Sequence, residues 1–301
     1  MTKSLKKTKE TFNRGNLKMI ALFCMTLDHF AVMIFDSWMK LYDKTSIEYA
    51  LISTPMIAFR LIGRIAFPIF CFFIVEGLFH TRSVFKYSLR LLLLAFISEV
   101  PFDMVLKHTF WDIHYQNVFW TLFLGLITIY AVDGIFKKIR SVKALRYILA
   151  GLTAVSGIYL AEFLGTDYGS IGVLTIVLIY LIGEEQYLFA AIVNVLGQTI
   201  ELISFKESDI LKIVLGAFSI VAVSFAIYIC RRITNVNSRK MLAGVAALSC
   251  LNFIELSALI NMKLFEYYDG EKGKNIGWFF YFFYPAHLLI LAGFAKLVGL
   301  Y

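Results

Sequence analysis

Apolar runs about as long as a bilayer is thick recur along the whole chain, and this constrains the fold more than any motif does. A spanning helix needs about 20 mostly apolar residues. Ten runs qualify, at roughly 17–38, 56–79, 87–106, 117–136, 145–164, 169–183, 186–204, 210–230, 240–262 and 276–299. Pro55 and Pro68 mark the second for a kink, and the short sixth run is followed by a tight "GEEQ" turn. The chain is 59% hydrophobic and 17% charged, whereas a soluble domain is about half apolar and about a quarter charged. The expected fold is all-α: a polytopic integral membrane protein of about ten transmembrane helices. Residues 1–301 read as one domain, with 1–16 as a basic cytoplasmic N-terminus.

The formal net charge of +8 would point to nucleic acid in a soluble chain. Here the cations fall between apolar runs, where they orient helices in a bilayer. With the N-terminus inside, the inner segments carry Lys3, Lys6, Lys7, Lys9 and Arg14, then Arg82, Lys86 and Arg90, then Lys137, Lys138, Arg140, Lys143 and Arg146, then Arg231, Arg232, Arg239 and Lys240. The outer segments carry far fewer, such as Lys40, Lys44, Lys107, Lys206 and Lys263. This bias gives an N-in/C-in topology with an even number of spans. The N-terminus lacks a small-residue cleavage site and reads as leading into a retained first helix. Cys24, Cys71, Cys230 and Cys250 show no CxxC spacing and read as small core residues. The outer segment at about 36–55 has room for a small lid or interfacial helix.

An ionisable group at membrane depth costs at least a few kcal/mol, so it faces the protein interior or a wet cavity. Asp28 and His29 lie side by side about halfway through the first run. Arg60 and Arg64 are one turn apart near the outer start of the second. Glu99 and Asp103 flank Pro101 in "ISEVPFD"; Gln116 and Asn117 open the fourth run; Asp167 and Tyr168 sit in the turn "GTDYGS". Asn194, Gln198 and Glu201 share one helix face, and His287 is midway along the last run. Together these groups are expected to line one outward-opening polar cavity. A second tier lies at the inner side: Glu76 and His80 one turn apart, then Arg82, Lys86 and Arg90 at every fourth residue. Guanidinium forks match phosphate oxygens, so this stripe suits an anion. Each group also has a plainer reading. The stripe fits a positive-inside flank, the Asn194 face fits interhelical glue, and Arg64 fits a simple pairing with Glu99.

A midplane histidine near carboxylates suits a general base. Joined to an inner anion site and an outer polar cavity, it suits a two-substrate transfer across the membrane. Neither G-x-x-x-x-G-K-[ST] nor G-x-G-x-x-G occurs, so nucleotide hydrolysis and dinucleotide chemistry have no support. No metal site is expected: HExxH is missing, and the five histidines show no ligand spacing beyond a weak possibility at His108 and His114. No nucleophilic serine elbow is present, and no basic-aromatic surface suits nucleic acid.

The stretches "LKMIALFCMTLDHFAVMIF", "GRIAFPIFCFFIVEGLFHTRSVFKYSLRLLLLAFISEVPFD", "QNVFWTLFLGL", "DYGSIGV" and "YYDGEKGKNIGWFFYFFYPAHLLIL" resemble, in that order, the TraX family. Its named member acetylates the N-terminus of conjugative pilin. The resemblance covers nearly the whole chain, and the second block is its most specific part. TraX proteins are similar in turn to transmembrane acyltransferases, which carry acetyl groups from cytoplasmic acetyl-CoA to extracytoplasmic sugars. Those enzymes hold a catalytic histidine in their first span, matched here by His29, and bind acyl-CoA through arginines near the cytoplasmic face. His80, Arg82, Lys86 and Arg90 fill that place here, although no full arginine motif aligns. "YPAHLL" is similar to a His-Pro-type motif of their last spans, with the order reversed.

The resemblance implies an acetyl-CoA-dependent O- or N-acetyltransferase in the bacterial cytoplasmic membrane, with acetyl-CoA as co-substrate. His29, steered by Asp28 or Glu99, would be the general base, and Arg64 or the Gln116 and Asn117 amides would stabilise the oxyanion. Asp103, Asp167, Tyr168, Glu201 and His287 would join the acceptor site. The acceptor would be an extracytoplasmic peptide amine, a glycan hydroxyl or a lipid-linked sugar. A proton-coupled transporter or channel for a small polar solute uses similar intramembrane groups, but no inverted pair of Gly/Pro-broken helices is legible. A structural assembly factor would need neither His29 nor the basic stripe.

Overall fold

A computed structural model describes residues 11–106, 109–204, 210–249, 253–273 and 277–299. The expected Cys250, His108, Lys107 and Lys206 features, and the lysines before residue 11, lie outside the described residues. Everything regular among the described residues is helical. Five helical stretches are long and apolar enough to cross a membrane: Arg14–Met39, Ile47–His80, Val118–Lys138, Lys143–Phe163 and Phe279–Leu297. Shorter apolar helices occupy Gly169–Gly183, Tyr187–Ile203 and Val214–Cys230. This is an all-α membrane protein.

The first stretch contains α1 (Arg14–Phe30), a π-helical turn at Ala31–Phe35 and α2 (Asp36–Met39). Asn13 starts it, its side chain accepting from the Asn16 N–H at 3.0 Å. The π turn follows directly on Asp28 and His29, a common place for such a distortion near functional groups. Next come α3 (Ile47–Gly63), α4 (Ala66–His80), α5 (Val84–Leu106), α6 (Val118–Lys138), α7 (Lys143–Phe163), α8 (Gly169–Gly183), α9 (Tyr187–Ser204) and α10 (Ile210–Cys230). Helix α8 is apolar on every face, and it is buried from Ser170 to Ile182. A helix of that kind has nowhere to go but the centre. It packs against α4, α6, α7, α9 and α11 (Val236–Leu248).

Two expected spans are broken instead of continuous. The second begins at Ile47, so residues 47–55 join a helix and the connection from α2 shortens to 40–46. The break falls at Gly63–Ile65 and not at a proline. Pro55 lies inside α3, and Pro68 sits in the first turn of α4, where its missing N–H costs nothing. The expected 240–262 span divides into α11, a 3-10 segment (Phe253–Leu259) and α12 (Ile260–Glu266); α13 (Gly277–Leu297) closes the described fold.

The two breaks meet. Ser257 Oγ donates to the Leu61 carbonyl at 2.7 Å, and Asn261 Nδ2 donates to the Ile65 carbonyl at 3.0 Å. Freed backbone acceptors at membrane depth must find donors inside the protein, and these two side chains supply them. Asn194 and Gln198 serve the other kind of contact: Gln198 donates to Asn194, and Ser219 and Ser224 of α10 complete the chain at 2.7 and 3.3 Å. Those two are interhelical glue, and only Glu201 of their face reaches a cavity.

Candidate active site

Asp28 does not orient His29. Adjacent helical residues diverge by about 100°, and the Asp28 carboxylate instead meets the α3–α4 break. Arg60 Nη1 donates to both of its oxygens at 3.1 and 3.0 Å, and Arg64 Nη2 donates to Oδ2 at 2.5 Å. Arg64 Nη1 donates to Glu255 Oε1 at 2.9 Å, so the expected Arg64–Glu99 pairing is replaced by an Asp28–Arg64–Glu255 bridge. Asp28 and Arg64 are each 9% exposed and Glu255 is 2% exposed, so the charges exist there only because they neutralise one another. Gly63 permits the approach: a Cβ on it would collide with the Asp28 Cβ, Cγ and Oδ1. Gly63→Ala is expected to lower stability by about 1–3 kcal/mol through overpacking, read as a lower unfolding midpoint in detergent.

His29 points elsewhere. Its Nδ1 lies 2.7 Å from Nε2 of His287, whose own Nδ1 lies 2.9 Å from the Phe283 carbonyl one turn back on α13. His287 is therefore a partner of His29 and not a lining residue of the acidic cavity described next. Tyr284 meets both imidazoles edge-on, with ring centroids at 6.0 Å from His29 and 5.4 Å from His287.

Arg60 and Arg64 form one wall of a cavity of about 510 Å3. Asp167, Tyr168 and Glu201 line it as expected, together with Tyr115, Glu162 and Glu255. Tyr168 takes a left-handed backbone, φ 65°, which a non-glycine residue holds only at a cost. Its ring stacks on Phe67 with centroids 3.7 Å apart, and its hydroxyl accepts from Arg64 at 3.4 Å. The Tyr115 hydroxyl donates to Asp167 at 2.8 Å. Burial pushes the Asp167 carboxyl above the usual range, with the Tyr115 bond and Arg64 acting against the rise. Ser170 ties two carboxylates together, its N–H donating to Glu162 at 3.0 Å and its hydroxyl to Glu201.

Glu99, Asp103, Gln116 and Asn117 are not in this wall. Glu99 is 1% exposed and is held by Asn117 Nδ2 at 2.7 Å and Trp120 Nε1 at 2.8 Å. It steers no histidine. Asn117 also caps α6, accepting from the Phe119 N–H at 3.0 Å, so its amide is committed and does not serve an oxyanion. Asp103 accepts from the Asp112 N–H at 2.7 Å. Gln116 pairs through its backbone with Gly165 and Asp167 at 2.9 and 2.8 Å. These four pin the loop ahead of α6 and the turn that carries Asp167 and Tyr168.

At the opposite end of α1 lies a cavity of about 600 Å3. It gathers His80, Arg82, Lys86 and Arg90, the whole expected stripe, and adds Arg14, Lys18 and Lys272. Six of its lining residues are Lys or Arg and none is acidic. Glu76 is kept out of the cavity by other bonds, to Arg14 at 3.2 Å and to the Tyr268 hydroxyl at 2.7 Å. His80 doubles as a helix cap, with Nδ1 2.8 Å from the Glu76 carbonyl. A narrower apolar shaft of about 150 Å3 shares Lys18, Phe73 and Tyr87 with this basic cavity and runs past Met25 to Tyr284, the residue packed on both histidines. Lys18 marks the junction, its ammonium 5.4 Å from the Phe73 ring centre and 5.2 Å from that of Phe280.

The sequence reading missed Glu255, Glu162, Arg14, Lys18 and Lys272. For Glu255 a signal existed: a lone carboxylate in a long apolar run is costly enough to need a partner. Among the described residues, no group of three or more His, Cys, Asp or Glu stands close enough to hold a metal ion.

The arrangement can be set beside known proteins. One similar sequence is a protein from Dichelobacter nodosus named "Probable fimbrial assembly protein FimC, serogroup H1", 24% identical over 290 residues that cover 93% of this chain and 94% of that one. No solved structure matches. The family model described as "TraX protein" matches residues 13–224, a segment containing His29, the Asp28–Arg60–Arg64 clamp, the expected basic stripe and the Asp167–Tyr168 turn. The chain belongs to the TraX family.

Proposed function

We propose that this protein is a membrane-embedded acetyltransferase that moves an acetyl group from cytoplasmic acetyl-CoA to an extracytoplasmic acceptor, with His29 as general base. The reading places it in a bacterial cytoplasmic membrane as one transmembrane domain over residues 1–301, with about ten spans, N-in/C-in, and 1–16 in the cytoplasm.

One observation carries this reading: a basic cavity adjoins an apolar shaft that ends at Tyr284, the residue packed on His29 and His287, while Arg60 and Arg64 of the acidic cavity hold Asp28, the residue next to His29 in the chain. The basic cavity offers forked and point-charge donors to a nucleotide's phosphates. The shaft suits a thin, mostly apolar arm. The acidic cavity, with Glu162, Asp167, Glu201 and Glu255 against Arg60 and Arg64, suits an acceptor bearing an amine. The fimbrial assembly relative and the pilin acetylation associated with the family favour a pilin-like peptide N-terminus over a glycan hydroxyl or a lipid-linked sugar. Chemically, His29 takes the acceptor proton while the acceptor nitrogen or oxygen bonds to the acetyl carbon. The C–S bond breaks, its electron pair stays on sulfur, and His29 returns the proton there.

The test is transfer of radiolabelled acetyl from acetyl-CoA to peptide amines and to sugar hydroxyls by purified, reconstituted protein. Labelled acceptor in step with free CoA supports the reading; saturating acetyl-CoA with neither product contradicts it. Arg82→Gln and Arg90→Gln are each expected to weaken acetyl-CoA binding roughly tenfold, the loss of one charge-assisted bond, with the unfolding midpoint unchanged.

The two broken helices favour a second reading, a transporter, because discontinuous helices commonly build ion and solute sites at mid-membrane. Flux of a small polar solute without acyl transfer would select it.

A further inference from the structure

We infer that His287 is a positioning residue that locks His29 in the tautomer a general base needs. The inference rests on the acyltransferase reading for its catalytic meaning, and on geometry alone for the pairing. A backbone carbonyl only accepts. Since His287 Nδ1 lies 2.9 Å from the Phe283 carbonyl, Nδ1 carries the hydrogen. A neutral imidazole has one N–H, so His287 Nε2 holds a lone pair and can only accept. The atom facing it at 2.7 Å is His29 Nδ1, which must therefore donate. His29 is left with its hydrogen on Nδ1 and its lone pair on Nε2.

The ring geometry agrees. The two imidazole planes are within 8° of parallel with centroids 5.0 Å apart. A nitrogen–nitrogen distance of 2.7 Å at that separation means the rings meet edge to edge along the hydrogen bond, not face to face. Phe283 lies nearly parallel to the His287 ring at 14° and 5.1 Å, and Tyr284 closes both from the side. Neither ring can turn without losing this packing.

The relay thus runs from the Phe283 carbonyl through His287 to His29 Nε2, and a neutral imidazole takes the place a carboxylate fills in Ser-His-Asp sites. When Nε2 takes the proton from the acceptor, the positive charge is shared along the His29–His287 bond until the proton passes to the departing sulfur. The free histidine side chain prefers its hydrogen on Nε2, so without His287 the base would present an N–H where a lone pair is needed.

The test is 15N NMR of histidine-labelled protein, with His29→Gln assigning the His29 signals, alongside acetyl-transfer kinetics. Wild type is expected to show His29 with Nδ1 protonated and Nε2 bare. His287→Leu is expected to move the hydrogen to Nε2 and lower kcat about a hundredfold, within the range for losing a positioned base, with the KM for acetyl-CoA unchanged. His287→Gln keeps an acceptor oxygen near the Nε2 position and is expected to restore both the tautomer and most of the rate. A wild-type His29 protonated on Nε2, or an unchanged kcat in His287→Leu, overturns the proposal. So does an equal loss of rate and folded protein in the Leu and Gln variants. The NMR reading needs no turnover: if labelled acetyl never reaches an acceptor yet the Nδ1–H signal is present and lost in His287→Leu, the pairing stands and the acyltransferase reading falls.

Discussion

His29→Gln is expected to abolish acetyl transfer while the protein still folds and binds acetyl-CoA. The expected loss is about 10²–10⁴-fold in kcat, the usual contribution of a positioned general base. The unfolding midpoint is expected to move little, because the glutamine amide can still donate toward His287 Nε2 and His29 is only partly buried. Slow hydrolysis of the acetyl thioester, measured as free CoA, is expected to fall with it. An equal loss of activity and folded protein would make His29 a packing residue and not a base.

Arg64→Ala is expected to cost about 3–5 kcal/mol of stability, because it strands buried carboxylates on two separate parts of the chain. Asp28 retains Arg60, at 3.0 and 3.1 Å. Glu255 is worse placed: Arg64 donates to its Oε1, and its buried Oε2 has no hydrogen-bond partner among the described residues. The 3-10 segment and the α3–α4 break, held together by this bridge, are expected to separate. Arg64→Lys should recover only part of the loss, since one ammonium cannot fork to both carboxylates. The measurement is an unfolding midpoint in detergent for the two variants. The pairing is tested by Glu255→Gln, whose neutral amide needs no counter-charge and is expected to soften the effect of Arg64→Ala. Additive losses in the double variant would remove the coupling claimed here.

The helical, membrane-borne character of the chain was written in its hydropathy, and α8 and α10 have the bounds read from sequence, 169–183 and 210–230. Polar or glycine-bearing stretches of sequence flank both, so their ends were visible. The breaks were not. Residues 253–259 keep an apolar pattern whether they wind as α or as 3-10 helix, and only the docking of Ser257 and Asn261 on freed carbonyls decides between them. Prolines were poor guides, since the chain breaks at Gly63 to let Asp28 approach and carries Pro55 through a helix.

For the site, residue types were legible and partners were not. The basic stripe comes together in one cavity from three places: His80 at the end of α4, Arg82 in the connection after it, and Lys86 and Arg90 on one face of α5. Sequence offers Asp28 or Glu99 as the partner of His29, yet the Asp28 and His29 side chains diverge to different helices and Glu99 is held elsewhere. The partner of His29 lies 258 residues away and that of Arg64 lies 191 away. No local pattern encodes such pairings; they arise from tertiary packing. Glu99, Asp103 and Asn117 looked like cavity residues because they are polar at depth. They are instead spent satisfying one another, Trp120 and the loop backbone.

The central claim is that acetyl passes from a nucleotide thioester at the basic cavity to an acceptor at the acidic one. The most direct measurement uses sealed vesicles with oriented protein, radiolabelled acetyl-CoA only on the side of the basic cavity, and a membrane-impermeant peptide amine only on the other. The account predicts labelled peptide in the far compartment and free CoA in the near one, both absent with His29→Gln. Labelled peptide only when both substrates share a compartment, or saturable acetyl-CoA binding with no labelled peptide in any arrangement, would contradict it.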